Sequence, residues 1–425
     1  MSRPKGAPIL WAEEILISKP GHPSDGTPTK VKPSTGMIEA GYVPDVRRPA
    51  VVDNWKDNDV AKRLLNVDFL EAFNWPEPGP GSGSATITGG NGVGGVAIGP
   101  GPDRRLVIVH NLGDALYASY NGGYSWAADV GQVGTINYYD VASSPSSVAA
   151  LFDDGTDGKV ICYGTGDATW TSQTLTTAPT VRRIIYDPYE SVYLIGGANA
   201  SPLPKLWQLA DGSGAMPMTE VQINQASPGD TNPIQWIAAS PDYKIAASYA
   251  SGTDTSFFYQ WEAGDTAFPA MSSPPVSGAG HSIRALLWLP EDEVFLAAVY
   301  HAASTSTRIY TALSTLAGGW TLVETINGEV LSDSMAVLGS LIVGAVEANV
   351  TDGSGAAITP RMLCVSGDAG LSWELVSDPV QRHQGSPTPE ATKVRAVGNR
   401  FIAFGYKAAG EVFTALSIRA GAFPA

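Results

Sequence analysis

The chain has 425 residues, 44% of them hydrophobic and 16% charged, with 47 glycines and 31 prolines. That apolar content is ordinary for a packed globular fold, and so many chain-turning residues suit an all-β protein built of many hairpins. The formal net charge of −15 opposes a phosphate backbone and excludes nucleic acid as an expected partner.

Residues 1–80 are unlike the rest. They hold 11 of the 31 prolines and a net charge of −1, which leaves −14 for the remainder. The apolar stretch near the start is short and is broken by Glu13 and Glu14, so it does not read as a signal peptide. Residues 1–52 are expected to be an extended, proline-rich arm. Residues 53–75 are expected to carry a short amphipathic helix. Asp53 is placed as its N-cap, with Asp57 and Asp59 in the first turns. Val60, Leu64 and Val67 share one face of that helix. The Pro/Gly-rich stretch 76–83 reads as a linker, and 84–425 as the main domain.

Gly26-Thr-Pro-Thr-Lys-Val-Lys-Pro33, then Gly41-Tyr42-Val-Pro44 and the Trp55 segment, resemble the leaders of tailed-bacteriophage virion proteins. Such leaders precede tail, fibre or other appendage domains. The resemblance covers residues 20–75, under a fifth of the chain. It implies anchoring to a phage particle, with Tyr42, Trp55, Val60, Leu64 and Val67 as docking residues.

From residue 84 onward the chain repeats. Short β-branched and aromatic runs, bounded by Gly, Pro, Asp and Ser, recur through 181–223, 234–261 and 283–312. Aromatic residues after turn-like sequences fall at 126, 170, 268, 320, 373 and 423. Their spacing is about 50 residues, with one double gap filled by a weak turn at Asp211-Gly-Ser-Gly214, which is the period of a propeller blade. Seven units of four strands predict a seven-bladed β-propeller. The last unit lacks an outer strand, and residues 84–88 are expected to fill that place and hide two sheet edges.

Two of the turns share one pattern. Ser366-Gly-Asp368-Ala-Gly370-Leu-Ser372-Trp373 is complete, and Ser119-Tyr-Asn121-Gly-Gly123-Tyr-Ser125-Trp126 carries Asn for Asp. The Asp or Asn can close the turn onto backbone N–H groups. The third named position suits a glycine with φ > 0, and the Trp can wedge between blades. These turns resemble the Asp-box of β-propellers, which implies that all ten named residues are structural.

No catalytic constellation emerges. An Asp-box sialidase or related glycosidase would need three convergent arginines, a tyrosine with a glutamate, and a general acid. Arg182, Arg284, Arg308, Arg361 and Arg395 are the candidate arginines, and the family's early arginine motif is missing. Asp153-Asp154 and Glu291-Asp-Glu293 read as solvated turns rather than as acid/base pairs. The five histidines are not spaced as metal ligands, and Cys162 and Cys364 read as buried thiols in comparable strands, too far apart to be bridged. No cofactor, metal or membrane insertion is expected.

The sequence therefore predicts a non-enzymatic structural virion component, made in the host cytoplasm and present in several symmetry-related copies. Other virion proteins are the expected partners, with a host surface glycan as a further one. The rival expectations are a propeller glycosidase or depolymerase, and a carbohydrate-binding propeller without catalysis.

Overall fold

The computed structural model describes residues 93–419 apart from short internal stretches, the longest of them 378–389. The arm, the amphipathic helix with its docking residues, the linker and the strand expected at 84–88 lie outside the described residues. So do residues 120–126 of the first box, whose Ser119 ends the strand Ala115–Ser119.

Every element among the described residues is a strand. They form seven sheets and one two-stranded hairpin, and four of the sheets have four strands in sequential order. The innermost strands, from the first sheet to the seventh, are Val93–Ile98, Asn137–Ser143, Val181–Asp187, Ile234–Ala239, His281–Leu289, Gly328–Leu338 and Glu390–Val397. Each contacts the innermost strand of the next sheet, and the last contacts the first. A cycle of antiparallel sheets of this kind is a β-propeller.

The burial pattern follows from that arrangement. In the second to sixth sheets the second strand is packed on both faces by neighbouring sheets, so its apolar residues run on without alternation. All seven residues of Ser147–Asp153 are buried, as are five consecutive residues of Val294–His301. The core is accordingly divided into layers between sheets. One layer joins the second and third sheets through Cys162, Ile184, Tyr193 and Trp207. Another joins the fourth and fifth through Trp236, Phe258, Ile283 and Phe295. Cys162 and Cys364 are buried thiols outside any disulfide, in the third strands of the second and sixth sheets. Burial pushes the Cys364 thiol up to about 12.

Three of the aromatic residues that mark the repeat stand just before outer strands. Trp170 precedes Thr171–Thr176, Trp320 precedes Thr321–Ile326, and Trp373 precedes Glu374–Ser377. The fourth sheet departs from the expected four strands. It has three, and the next segment, Ala267–Phe268, instead pairs in parallel with the outer strand of the third sheet. Immediately afterwards the chain returns to the fourth sheet, where Met271 N donates to Phe258 O at 2.8 Å and Gln260 N donates to Pro269 O at 3.0 Å. The segment is thus a strap over two sheet edges. Phe268, 1% exposed, is its anchor and stacks on Trp261.

The turn at 366–373 is a closed hydrogen-bond unit. Ser372 N and the Ser372 hydroxyl donate to the two Asp368 carboxylate oxygens at 2.9 and 2.6 Å. Gly370 N donates to Ser366 Oγ at 2.8 Å, and Trp373 Nε1 donates to Gly370 O at 2.9 Å. Burial raises the Asp368 carboxyl, but the hydrogen bonds from Ser372 and Ser366 outweigh it and leave the group below the usual carboxylate range. Gly370 has φ +88°, and a Cβ there would stand 2.6 Å from Leu296 Cδ1 of the fifth sheet. A side chain at 370 is therefore opposed by backbone strain and by packing together. Gly370→Ala is expected to destabilise the protein by about 1–3 kcal/mol, read as a lower urea midpoint at unchanged m-value.

Candidate functional site

The site is built from a distortion that recurs in every innermost strand. In six of them the pairing with the second strand skips one residue: Gly94, Tyr139, Arg182, Gln235, Arg284 and Thr392. A β-bulge sharpens strand twist and re-aims the side chains beside it. In the sixth sheet the excursion is longer, and the residues between Val330 and Met335 face Ala345 alone. Asp333 lies in that excursion with φ +56°, a left-handed conformation that Asp tolerates better than most residues. The buried Ser334 hydroxyl donates to Ala345 O at 3.0 Å and pins it.

Five charged side chains from four sheets meet where these bulges converge. Asp140 comes from the second sheet, Arg183 from the third, Asp333 from the sixth, and Lys393 and Arg395 from the seventh. Arg183 Nη1 donates to Asp333 Oδ1 at 2.6 Å and lies 3.2 Å from Asp140 Oδ2. Arg395 Nη1 donates to the Asp333 carbonyl at 2.6 Å, and its Nη2 pairs with the Asp333 carboxylate. Lys393 Nζ donates to Asp333 Oδ2 at 3.3 Å. Asp140 Oδ2 also accepts from Ile184 N at 3.1 Å, which ties the second sheet to the third. Gly95 makes room for this carboxylate: a Cβ there would stand 2.4 Å from Asp140 Oδ1.

The electrostatics of this hub are those of a buried network. Burial alone would raise Asp333, but Arg183, Arg395 and Lys393 outweigh it and hold the carboxyl well below its ordinary range. For Asp140 burial wins over the pull of Arg183 and Arg395, and the group is raised. Burial also depresses Lys393, which Asp333 only partly offsets. Burial would lower Arg183 too, yet Asp333 and Asp140 prevail and raise it. Three cations face two carboxylates, so the hub carries one surplus positive charge inside a chain of net −15. Asp140 Oδ1 and Arg183 Nε are buried without a hydrogen-bond partner. Chemically, the hub is an ionic clasp across the axis with one acceptor and one donor still open.

The other polar groups are engaged in holding sheets together. Arg182 stacks over the Tyr139 ring at 4.4 Å, and Tyr139 donates to the Asp153 carboxylate. Burial, with the Asp153 hydrogen bond, pushes the Tyr139 hydroxyl up to about 12. Lys244, 1% exposed, lies over the Trp261 ring at 3.9 Å and pairs with Asp187 and Glu190 of the third sheet. Its Nζ is 3.2 Å from Asp187 Oδ2 but outside hydrogen-bond direction, so that contact is ionic only. Asp230 accepts from Ser248 and Tyr259 at 2.6 and 2.5 Å. Asp211, from the weak turn between boxes, accepts from the Ser144 and Ser147 hydroxyls of the neighbouring sheet at 2.6 Å each.

The structure does not gather the five candidate arginines. Arg182 sits on Tyr139, while Arg284 pairs with Glu329 at 2.6 Å and Arg361 with Glu347. Arg395 alone of the five enters the hub. Asp153 and Asp154 cap a hairpin, accepting from Gly155 N at 3.1 Å and Asp157 N at 2.8 Å. Among the described residues no cluster of three or more His, Cys, Asp or Glu side chains could hold a metal ion. Sequence reasoning missed Asp140, Arg183, Asp333 and Lys393. It also missed that His281 and His301, on paired strands, place their rings 4.3 Å apart. The available signal was a charged residue within an innermost strand, as Asp140 and Arg183 are in Asn137–Ser143 and Val181–Asp187.

No protein-family model matches the sequence, and no curated protein does. Solved structures match in fold. The chain is similar to YCF48 bound to a D1 peptide, at 13% identity and TM-score 0.52 over 77% of this chain and 92% of that one. It is similar to a GH74 enzyme of Niastella koreensis, at 15% identity and TM-score 0.54 over 77% of this chain and 52% of that one. YCF48 from Cyanidioschyzon merolae matches at 11% identity and TM-score 0.50, over 76% and 95% of the two chains. At these identities the likeness establishes the β-propeller and nothing about activity.

Two outcomes follow from the geometry. Asp333→Asn leaves three buried cations facing one carboxylate, and is expected to cost about 3–5 kcal/mol of stability in chemical denaturation. The second concerns acid. Burial, then Arg308 and His281, depress His301 to about 4, below the ordinary value of 6.5. The unfolded chain therefore binds the proton first. The stability His301 contributes is whole above about pH 6.5 and drains away towards pH 4. A urea midpoint measured across that window should fall with pH, and His301→Phe should flatten the slope.

Proposed function

We propose that this protein is a non-enzymatic structural component of a tailed-phage virion, in the tail, a fibre base or another appendage. Residues 1–75 anchor it to the particle, and a seven-bladed propeller is displayed outward for contact with other virion proteins or a host-surface glycan. The leader motifs from Gly26 to Trp55 support the anchoring part. The observation that supports the non-catalytic part is the internal pairing of the hub's charges. Arg183, Lys393 and Arg395 are spent on Asp333 and Asp140, so the charges at the axis join sheets rather than wait for a substrate.

The same reading explains the charge distribution. A net −14 outside the leader keeps a displayed domain soluble and away from nucleic acid, whereas the near-neutral leader can settle on a protein surface. Several symmetry-related copies fit the rotational symmetry of an appendage.

Deleting residues 1–80 is expected to leave a protein with an unchanged β-type circular-dichroism spectrum that no longer joins particles when supplied to an assembling phage. Normal incorporation of the truncated chain would overturn the anchoring role. Turnover of host capsular polysaccharide by the purified protein would overturn the non-enzymatic one.

A further inference from the structure

We propose that the cleft between the fourth and fifth sheets is a binding site for an uncharged saccharide. The cleft has a volume of about 570 Å³, within the ~300–1,000 Å³ range of small-molecule sites. One wall is the strap that leaves the third sheet. The other is the turn between the last two strands of the fifth sheet.

Trp320 is the platform. It is half-buried, packs on the core layer of the fourth and fifth sheets, and its Nε1 donates to Met271 Sδ at 3.4 Å. The indole is therefore fixed before any ligand arrives. An aromatic face of this kind suits the C–H face of a pyranose ring, and its rigidity keeps the entropic cost of binding low.

The polar groups around it have the matching chemistry. Gln260 supplies an amide, and Ser272, Ser273 and Thr315 supply hydroxyls. Ser272, Ser273 and Thr315 are exposed, so a ligand can reach their hydroxyls and exchange hydrogen bonds with the water that covers them. The turn that presents Thr315 and Trp320 is locked. Leu316, Gly318 and Gly319 have φ of +53°, +88° and +73°, and Leu316 N and Gly319 N donate to Leu313 O and Leu316 O at 2.8 and 3.2 Å.

What the cleft lacks selects the ligand class. Among the described residues that line it none is ionisable, although the chain carries 41 acidic and 26 basic residues. An acidic sugar would find no countercharge there and would enter against the negative field of the whole chain. A neutral polyol needs only an aromatic face, hydroxyls and an amide. The site gives a location to the glycan contact named above but does not rest on the anchoring role. Particle incorporation tests one, and titration of the purified chain tests the other.

The test is calorimetric titration of the full chain with maltotriose, cellotriose and tri-N-acetylchitotriose, and with trigalacturonate as the charged counterpart. Saturable binding of at least one neutral trisaccharide below about 10 mM is expected, with trigalacturonate at least about tenfold weaker. Trp320→Ala should weaken the neutral ligand about tenfold or more. Because Trp320 also touches the core, Ser273→Arg is the companion variant. It fills the cleft from an exposed position, and it should abolish binding while the melting temperature stays unchanged. Failure of all three neutral sugars to bind, or binding that Ser273→Arg leaves intact, would overturn the proposal. So would tighter binding of the acidic sugar.

Discussion

Seven sheets can share one axis only if their innermost strands converge without filling the same space. Every such strand answers that demand with a break in its pairing. The bulge turns side chains beside it towards the axis, and what stands there decides whether the ring is an open channel or a closed hub. At Asp140 the neighbour across is Gly95, and no larger residue fits against the carboxylate. At Asp333 the bulge has grown into a short loop that reaches a side chain from the third sheet. Ring closure, core layering and hub chemistry all follow from this single geometric requirement.

An ionic hub is a costly way to occupy an axis. Burying a charge carries a penalty of several kcal/mol, and pairing repays it only when the geometry is good. An apolar plug of the same volume would serve stability as well. What a plug would not supply is direction: Arg183 must find Asp333 and Asp140, and Arg395 must find the Asp333 carbonyl as well as its carboxylate. The sheets involved are second, third, sixth and seventh, so the pairs couple parts of the chain up to 255 residues apart, as Asp140 and Arg395 are. Between nearer neighbours, direct ties such as Lys244 to Asp187 and Ser144 to Asp211 do similar work.

Much of the fold was legible because its signals are local. A turn such as 366–373 needs Ser, Asp, Gly and Trp at fixed offsets, and each offset corresponds to a hydrogen bond or a packing contact. The aromatic period was visible because Trp170, Trp320 and Trp373 must each precede an outer strand. The strap at 267–271 was hidden, since nothing local distinguishes a strand that adds to its own sheet from one that first joins its neighbour. The hub was hidden for a stronger reason. Asp140 and Arg183 come from successive sheets, but Asp333 stands in a distant stretch of sequence that only the closed ring brings to them. The excursion that delivers Asp333 leaves no composition signal beyond a polar Ser-Asp-Ser inside an apolar strand.

A fold does not fix function, so specificity on a propeller scaffold comes from surfaces the ring itself does not need. The hub is needed by the ring, because its charges are bound to one another across four sheets. The cleft beside Trp320 is different. Its walls are a strap and a turn, and its exposed hydroxyls carry none of the cross-axis ties. The proposed saccharide contact would thus lie away from the charged hub, beside the strap that bridges two sheet edges.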